Sequence, residues 1–541
     1  MTACCHLSRR EFLRWAALVG ATPLLASLAD QERAYAQGAA VALPISLELV
    51  TLTETTAIIT WFTGDPTRPD TFGRLAPAPA DTEVLLGTSP ATMQVVHHDA
   101  TPTPYHYVEL TGLEPGQTYF YVARSGGLPA TPSTTAYGNP VGTSTLPLPV
   151  SGPYLFQTPE PPPGRHLFTI ALGADMHLGE TVAGLATTQA GVEIPPGIRQ
   201  LPGRPPYAEV MAGALAPEVR ARGAQLVLIA GDVTSEAAAI DAAHAKTYLD
   251  RFGAHGRDYL VARGNHDRPH TGAKTASCRT VRNAPGYHDC FGDTFFGAGP
   301  TWFAHEAFGM RILGLDTYDK IGNGGDNGVL SDPQWAFVRE ELGRDKDQPT
   351  LVFGHHPVTV ESTLININPV RFDLAPQQAR QLEELYVATP GVFLHHAGHT
   401  HRNKQTRGLT ATDVVFQEVS AVKEYPGGYT LLRVFTGGYA LNFYKFRSAL
   451  AQEWSERSRP EYAGLAPYYT FGNVNDRNSV VVRDLSGLRS TRDQVAPVTT
   501  ARPAAQVLPV TGAGAGPALA AGAAALAIGA AARRLISDPC P

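Results

Sequence analysis

The chain has 541 residues, 43% hydrophobic and 17% charged, with a formal net charge of −6 at pH 7. A chain of this length exceeds the size of one hydrophobic core, so we expect two or more domains. The mildly acidic balance and the lack of a basic stripe argue against nucleic-acid binding. We therefore predict a soluble globular protein with no nucleic-acid partner.

Residues 1–36 have the order of an export signal. The stretch 8–13 reads SRREFL, a short apolar run follows, and Ala34, Tyr35 and Ala36 form a small-x-small cleavage signal. The stretch closely resembles the twin-arginine export motif, which is read by a receptor. We predict a twin-arginine signal peptide cleaved after Ala36; an ordinary amphipathic first helix is the alternative.

Residues 41–150 have the pattern of β-structure. Short runs rich in Val, Ile, Thr and aromatic residues are separated by Gly, Pro and Asp turns, and Trp61 is expected in the core of an early strand. The stretch 113–119, LEPGQTY, resembles the tyrosine corner of fibronectin type III domains. We predict an all-β fibronectin type III-like sandwich here, followed by a stiff Pro-rich linker over 151–165.

The pattern changes from residue 166 to residue 447. Continuous apolar runs such as LFTIAL, QLVLIA and TLVF alternate with helix-like segments. Continuous apolar runs indicate strands that are buried on both faces, and therefore an α/β domain. We expect residues 448–507 to form an extension and a spacer, disordered from about residue 485.

A polar cluster follows each of five predicted strands in this domain, in the order D-x-H, GD, GNHD, GHxP and GHxH. Open α/β sheets bind ligands at the carboxyl ends of their strands, so we expect these side chains to converge. The candidate site residues are Asp175, His177, Asp232, Asn265, His266, Asp267, His355, His399 and His401.

This order of motifs strongly resembles the calcineurin-like metallophosphoesterase superfamily. The resemblance implies a four-layer α/β/β/α sandwich and two metal ions. It places one metal ion on Asp175, His177, Asp232 and His401. It places the other on Asp232, Asn265, His355 and His399. It also places His266 beside the substrate, with Asp267 orienting it.

The resemblance implies a metal-dependent phosphoric ester hydrolase. Carboxylate, amide and imidazole ligands suit Mn, Fe, Zn or Co better than Ca. Two such ions would clamp the oxygens of an in-line displacement and activate a hydroxide, while His266 stabilises the developing charge or protonates the leaving oxygen. His356, His395 and His396 match no ligand position, so we expect them to be packed or solvated.

The domain order resembles the purple acid phosphatases, with two departures. That branch has Asp-x-Gly at the first motif, where this chain has Asp175-Met176-His177. It also has a Tyr ligand three residues after the bridging Asp, where this chain has Ser235. We expect ordinary divalent metals, and the preference between phosphate monoesters and diesters stays open.

Residues 508–541 resemble a sortase cell-wall sorting signal. LPVTG precedes an apolar span of about membrane length and the pair Arg533-Arg534. Transpeptidation between Thr511 and Gly512 would leave the protein linked to cell-wall peptidoglycan at the cell surface. The alternatives are a membrane anchor formed by the apolar span and a plain tail rich in Ala and Gly.

Removal of both ends would leave two of the five cysteines, Cys278 and Cys290. Two cysteines in an exported protein favour one disulfide, and metal ligation by them is the weaker interpretation.

The leading function is an exported cell-surface phosphoesterase acting on small phosphate esters. One alternative is a phosphodiesterase or nucleotidase acting on nucleotides or lipid head groups. Another is a wall-anchored binding protein with an inactive site. Because adhesins often repeat their β-domains and this chain has one, we favour a scaffolding role for the β-domain.

Overall fold

A computed structural model describes residues 42–70, 74–135, 145–147, 152–185, 187–194, 196–268, 289–297, 299–319, 326–364, 373–461 and 466–492. All of them lie within one compact unit, residues 1–502. The export signal, the sorting signal and Cys278 lie outside these ranges, so the predictions on them stay predictions. Cys290 is disulfide-bonded, and the other four cysteines lie outside the same ranges. None of the helices that the structure describes is long and apolar enough to span a membrane.

The N-terminal domain is a β-sandwich. Its strands are β1 (Leu43–Leu52), β2 (Thr56–Pro69), β3 (Leu75–Pro77), β4 (Ala80–Gly87), β5 (Gln94–Thr103), β6 (Tyr105–Thr111), β7 (Thr118–Ser125), β8 (Leu128–Pro129), β9 (Ser133–Thr135), β10 (Thr145–Pro147) and β11 (Tyr154–Gln157). One sheet has the order β1-β2-β3 with β6 beside β2, and the other has β11-β7-β4-β5 with β8 beside β7. Strands β9 and β10 form a separate two-stranded sheet, and residues 90–92 form a single 3₁₀ turn.

The core of this sandwich confirms the predicted fibronectin-like fold. Trp61 is buried between the sheets, and its indole N–H donates to Oγ of Ser125 at 2.9 Å. The tyrosine corner is present, because the hydroxyl of Tyr119 accepts a hydrogen bond from the backbone N–H of Glu114 at 3.0 Å. Part of the predicted linker over residues 151–165 belongs to the sandwich instead. Its residues Tyr154–Gln157 form β11, which pairs with β7 because Phe156 fills the sandwich core.

The second domain contains two mixed sheets of six strands each. The first has the order β16-β15-β12-β23-β24-β25, and the second has β17-β18-β19-β20-β22-β21. Strands β13 and β14 form a small hairpin. The strands are β12 (His166–Gly173), β13 (Thr187–Gln189), β14 (Val192–Ile194), β15 (Leu226–Ala230), β16 (Tyr259–Ala262), β17 (Phe303–Ala307), β18 (Met310–Gly314), β19 (Thr350–Phe353), β20 (Val392–Ala397), β21 (Lys404–Arg407), β22 (Val415–Glu418), β23 (Gly428–Phe435), β24 (Gly438–Lys445) and β25 (Asn478–Val482).

Helices cover the outer faces of both sheets. The helices are α1 (Tyr207–Ala221), α2 (Ala239–Asp250), α3 (Cys290–Phe295), α4 (Asp332–Arg344), α5 (Val360–Leu364), α6 (Pro376–Val387), α7 (Ala449–Ser458), α8 (Ala466–Tyr469) and α9 (Val474–Arg477). Helices α1 and α2 pack on the first sheet, and α4 and α6 pack on the second. A third apolar cluster lies between the sheets. This is the predicted four-layer α/β/β/α sandwich.

Strand β15 shows why the apolar runs are continuous. Leu226 and Leu228 face the core between the sheets, whereas Val227 and Ile229 face the layer of helices. Side chains alternate between the two faces of a strand, so a strand covered on both faces needs apolar residues at every position.

The predicted C-terminal boundary at residue 447 is wrong. Helix α7 packs against α1, and β25 extends the first sheet beside β24. The chain remains packed beyond residue 485, because Leu485 and Leu488 are buried in the core between the sheets. Strand β25 carries three consecutive valines, but the polar residues on either side of it obscured this short apolar run.

The two domains share buried ion pairs. Both carboxylate oxygens of Glu48, on β1, are bound by groups of the second domain. Lys445 donates to Oε2 at 2.7 Å, and Arg459 and the hydroxyl of Tyr425 donate to Oε1, both at 2.5 Å. Arg433 binds Glu54 with two parallel hydrogen bonds of 2.8 and 2.7 Å. The β-domain is therefore a fixed part of the second domain's surface.

We expect Glu48→Gln to destabilise the protein by about 3 kcal/mol at pH 7, because Lys445 and Arg459 would lose their buried counter-charge. Burial by itself would raise the pKa of Glu48, but Lys445 and Arg459 lower it from 4.5 to about 2. A lowered carboxyl pKa stabilises the fold above the unfolded value and loses that effect as pH falls toward 2. Unfolding midpoints of wild type and variant should therefore differ at pH 7 and converge between pH 4.5 and 2. A constant difference across that window would contradict the assignment.

Candidate metal centre

The predicted site residues lie at the carboxyl ends of five parallel strands, drawn from both sheets. Strands β12, β15 and β16 run parallel in the first sheet, and β19 and β20 run parallel in the second. The loops that follow these strands meet at one edge of the sandwich, where the backbone N–H of His399 donates to the carboxylate of Asp175 at 3.1 Å. The strand order thus brings together residues that are far apart in the sequence.

The backbone is strained at these loops. Nine non-glycine residues among those described have positive φ, and five of them are predicted metal ligands. The five are Asp175 (56°), His177 (45°), Asp232 (51°), His399 (68°) and His401 (53°). Left-handed conformations are unfavourable for residues with a side chain and concentrate at functional sites, where the surrounding structure enforces them.

Close approach explains two of the motif glycines. A Cβ atom on Gly264 would lie 2.1 Å from Oδ1 of Asp232, and one on Gly398 would lie 2.5 Å from the Cβ of Ala174. No side chain fits at either position, so these glycines allow the loops to touch.

One group of candidate ligands consists of Asp175, His177 and His401, whose ligand atoms lie within 4.8 Å of one another. Oδ1 of Asp175 lies 3.3 Å from Nε2 of His401 and 3.8 Å from Nε2 of His177. Asp175 and His177 are buried, and the His401 side chain is 13% exposed. These three residues belong to the ligand set predicted for the first ion.

A second group consists of Asp232, His355 and His399. Nε2 of His355 lies 3.1 Å from Oδ2 of Asp232, 3.1 Å from Nδ1 of His399 and 3.0 Å from Oδ1 of Asn265. The other ring nitrogen of His355 lies 2.7 Å from the carbonyl oxygen of Ala230, which fixes the proton there. All four side chains belong to the ligand set predicted for the second ion.

Asp232 lies between the two groups. Its Oδ2 is 3.4 Å from Nε2 of His177 and 3.1 Å from Nε2 of His355. Its Oδ1 accepts a hydrogen bond from the backbone N–H of His266 at 2.8 Å, which holds the carboxylate in place. This is the position expected of a bridging ligand.

The donor spacing fits metal ions. Ligands bound about 2.1 Å from one ion lie roughly 3.0–3.4 Å apart in octahedral or tetrahedral geometry. Most of the donor–donor distances here, from 3.0 to 3.4 Å, fall in that range. Both ring nitrogens of His177 are buried and make no hydrogen bond of good geometry. The carboxylates of Asp175 and Asp232 face its Nε2. The residues present therefore fit two cations bridged by Asp232.

The electrostatics of the protein alone favour charged carboxylates. Burial would raise the pKa of Asp232, but the neighbouring His355 and His266 hold it well below its usual value. For the imidazole of His355 burial acts in the opposite direction and would lower the pKa, but Asp232 raises it to about 9. The site therefore presents anionic oxygens to any cation that enters it.

His266 lies beside the first group. Its ring centroid is 4.7 Å from that of His177, its Nδ1 lies 2.7 Å from the carbonyl oxygen of Ser235, and it is partly exposed. The prediction that Asp267 orients His266 is not supported by these contacts. Asp267 accepts hydrogen bonds from the backbone N–H groups of Thr234 and Gly264 at 2.8 and 2.9 Å. It ties two site loops together, and the carbonyl of Ser235 orients the imidazole.

We expect Asp267→Ala to lower the free energy of unfolding by about 3 kcal/mol, because two buried backbone N–H groups would lose their acceptor. The measurement is denaturant unfolding of metal-free protein, which separates this effect from metal binding. Thr234→Val should cost less. It removes a hydroxyl that donates to Asp267 at 3.0 Å and accepts from the backbone N–H of Ala237 at 3.2 Å, so one backbone N–H loses its acceptor instead of two. Equal stability of Asp267→Ala and wild type would contradict the role.

The remaining histidines pack as expected. Nδ1 of His395 lies 2.8 Å from the hydroxyl of Tyr386, and Nε2 of His396 lies 3.2 Å from the carbonyl oxygen of Gly173. His356 is buried against His399, with its Nδ1 2.7 Å from Oγ1 of Thr317. Of residues 268–296, which contain Cys278 and Cys290, the structure describes residue 268 and residues 289–296.

Sequence reasoning missed three charged residues next to the ligands, which are Glu180, Lys423 and Glu424. Glu180 lies three positions after His177, a spacing that could have drawn attention to it. No motif marks Lys423 or Glu424, and only the packing of β12 beside the segment before β23 brings them to the site.

Two family models match the chain. Residues 168–403 match the model of the calcineurin-like phosphoesterases, and residues 43–137 match that of the purple acid phosphatase N-terminal domain. No curated protein matches.

Several solved structures are similar in part. A purple acid phosphatase from yellow lupin (Lupinus luteus) seeds is 15% identical, with a TM-score of 0.34, over 75% of this chain and 72% of that one. PhoD is 11% identical, with a TM-score of 0.35, over 74% and 85%. A dimetal phosphatase from Danio rerio is 15% identical, with a TM-score of 0.37, over 52% and 98%.

Proposed function

We propose that this chain, whose residues 168–403 match the model of the calcineurin-like phosphoesterases, is a metal-dependent enzyme that hydrolyses small phosphate esters at a two-metal centre. The ligands proposed for it are Asp175, His177, Asp232, Asn265, His355, His399 and His401. One observation carries the proposal, which is the position of Oδ2 of Asp232 between two groups of converging donor atoms. Two divalent ions held there would stabilise charge on the phosphoryl oxygens and lower the pKa of a water molecule.

The protein's own residues contribute position and proton transfer. Asp232 offers one oxygen to both groups, while the N–H of His266 fixes the other. The imidazole of His266 is held by the carbonyl of Ser235 and reaches the exposed side of the site. We assign it stabilisation of charge on the phosphoryl group or proton donation to the leaving oxygen.

The metals proposed are divalent ions such as Mn, Fe, Zn or Co. Imidazole, carboxylate and amide donors suit these ions. Ser235 occupies the position where a purple acid phosphatase has a tyrosine ligand, and in this chain its carbonyl oxygen binds His266. A loaded protein without tyrosinate-to-iron absorption is therefore expected, and a purple colour would contradict the assignment.

The function is tested by metal analysis together with two substrates. Purified protein, reconstituted with Mn, Fe or Zn, is assayed with p-nitrophenyl phosphate and bis-p-nitrophenyl phosphate. Two bound ions and turnover of the monoester support a phosphatase, whereas preference for the diester supports the phosphodiesterase or nucleotidase alternative. Protein that binds no metal after reconstitution would overturn the catalytic function and favour the binding-protein alternative.

We further propose export by the twin-arginine pathway and sortase-dependent attachment to peptidoglycan. The motifs at 8–13 and 508–512 support this location. The buried ion pairs of Glu48 and Glu54 support a scaffolding role for the β-domain. Mass spectrometry of the cell-wall fraction should find a peptide that ends at Thr511. Recovery of chains that retain Gly512 in the membrane fraction would favour the membrane-anchor alternative.

A further inference from the structure

Two histidines of the first ligand group are backed by buried carboxylates. Nδ1 of His177 lies 2.9 Å from Oε2 of Glu180, and Nδ1 of His401 lies 2.5 Å from Oε1 of Glu424. In both rings the opposite nitrogen, Nε2, faces the carboxylate of Asp175. At His401 the contact with Glu424 is a hydrogen bond, and a proton held there on Nδ1 leaves the lone pair of Nε2 directed into the metal site. At His177 the contact with Glu180 places a negative charge beside the ring without hydrogen-bond geometry.

Lys423 joins the two outer carboxylates. Its ammonium lies 2.5 and 2.7 Å from the oxygens of Glu180 and 3.1 Å from Oε2 of Glu424. The side chains of Lys423 and Glu424 are 4% and 0% exposed, so the bridge is shielded from water. The backbone N–H of Lys423 also donates to the carbonyl oxygen of Asp175 at 3.2 Å, which attaches the bridge to the ligand loop.

Two aromatic residues donate hydrogen bonds to Glu180 and Lys423. The hydroxyl of Tyr207 donates to Oε1 of Glu180 at 2.7 Å, and the indole N–H of Trp454 donates to the carbonyl oxygen of Lys423 at 2.6 Å. The two rings stack with centroids 4.0 Å apart. Trp454 belongs to α7, so the segment predicted as a C-terminal extension contacts the lysine that joins the two outer carboxylates.

The other ligand group is supported differently. His355 directs its Nδ1 to the carbonyl oxygen of Ala230, a neutral acceptor. Only a carboxylate raises the basicity of an imidazole ligand by its charge. The structure therefore distinguishes a ligand group whose histidines lie against carboxylates from one with a histidine that lies against a backbone carbonyl.

We propose that Glu180, Lys423 and Glu424 form one positioning unit for the ion held by Asp175, His177 and His401. The unit sets the tautomer of His401 and places negative charge beside both histidines. Its effect is expected on this ligand group and not on the group of His355 and His399. Lys423 and Glu424 lie beyond residues 168–403, so the family match does not assign them. The inference rests on the two-metal part of the proposed function.

The test measures affinity for each metal ion separately. Wild type, Glu180→Gln and Glu424→Gln are loaded with Zn or Co and titrated with a competing chelator. In both variants we expect one ion to bind about 10–100-fold more weakly, and the other to keep its wild-type affinity. The visible spectrum of the Co-loaded protein should change in the same variants, because the ligands of one ion move.

Glu48→Gln is the matched control. Glu48 is also a buried carboxylate bound by a lysine, an arginine and a tyrosine hydroxyl, but its partners are not ligands. Its replacement should lower stability and leave both metal affinities and the Co spectrum unchanged. If Glu424→Gln does not fold, Glu180→Gln carries the same test, because the Glu180 side chain is 14% exposed and less critical to the core.

The outcomes separate the two proposals. Wild type that binds no ion overturns the proposed function and this inference with it. Wild type that binds two ions, with variants of unchanged affinity, overturns the positioning unit alone. Equal weakening of both ions in the variants would also overturn it, because a general loss of structure would explain that result.

Discussion

Asp232→Asn is expected to reduce phosphoesterase turnover by about 10³-fold or more, because the bridging oxygen between the two ligand groups loses its charge. Several kcal/mol of stabilisation by a metal pair correspond to roughly that factor in rate. Asparagine keeps the size and the acceptor for the N–H of His266, so the loop should hold its shape. Asparagine is neutral, however, so it would no longer offset the repulsion between two cations that share this ligand.

The measurement combines metal content with kcat on the preferred ester. Asp232→Asn should bind fewer than two ions under conditions that saturate the wild type, and kcat should fall with the loss. Asp65→Asn is the control. Asp65 lies in the β-domain and accepts hydrogen bonds from the backbone N–H and the hydroxyl of Thr67, two residues along the chain. Two firmly bound ions and wild-type kcat in Asp232→Asn would refute the bridging role.

His266→Ala is expected to lower kcat by roughly 10²–10⁴-fold while two metal ions remain bound. The imidazole is partly exposed and lies close to the first ligand group, but it belongs to neither predicted ligand set. Loss of a proton donor slows the chemical step without removing a ligand. A split between intact metal binding and low kcat therefore distinguishes His266 from the ligands.

The result is read from kcat, KM and metal content together. His98→Ala provides a control, because His98 is exposed on β5 of the other domain. A phenyl ester with a better leaving group should be less affected than a poor one if His266 protonates the leaving oxygen. Loss of one metal ion in His266→Ala would instead assign it as a ligand, in line with its closeness to His177 and Asp232.

The motifs that follow the strands are sufficient to identify all nine candidate site residues. Strands that are buried on both faces need apolar residues at every position, and turns that present ligands need glycine, so both leave a signature in a short stretch of sequence. The tyrosine corner at Tyr119 is local in the same way, since its hydrogen bond spans five residues. Local patterns of this kind can be recognised along the chain.

The contacts that the sequence could not predict are those between distant segments. Glu180 meets Lys423 across 243 positions, and Glu48 meets Arg459 across 411. Asp267 binds the loop of Thr234 instead of its neighbour His266, because backbone N–H groups buried between two strand ends need an acceptor. Residue types and spacing determined which side chains could bind metal. Only the tertiary structure decided which charges stand behind them, since charge pairing in a buried site depends on position in space and not on order along the chain.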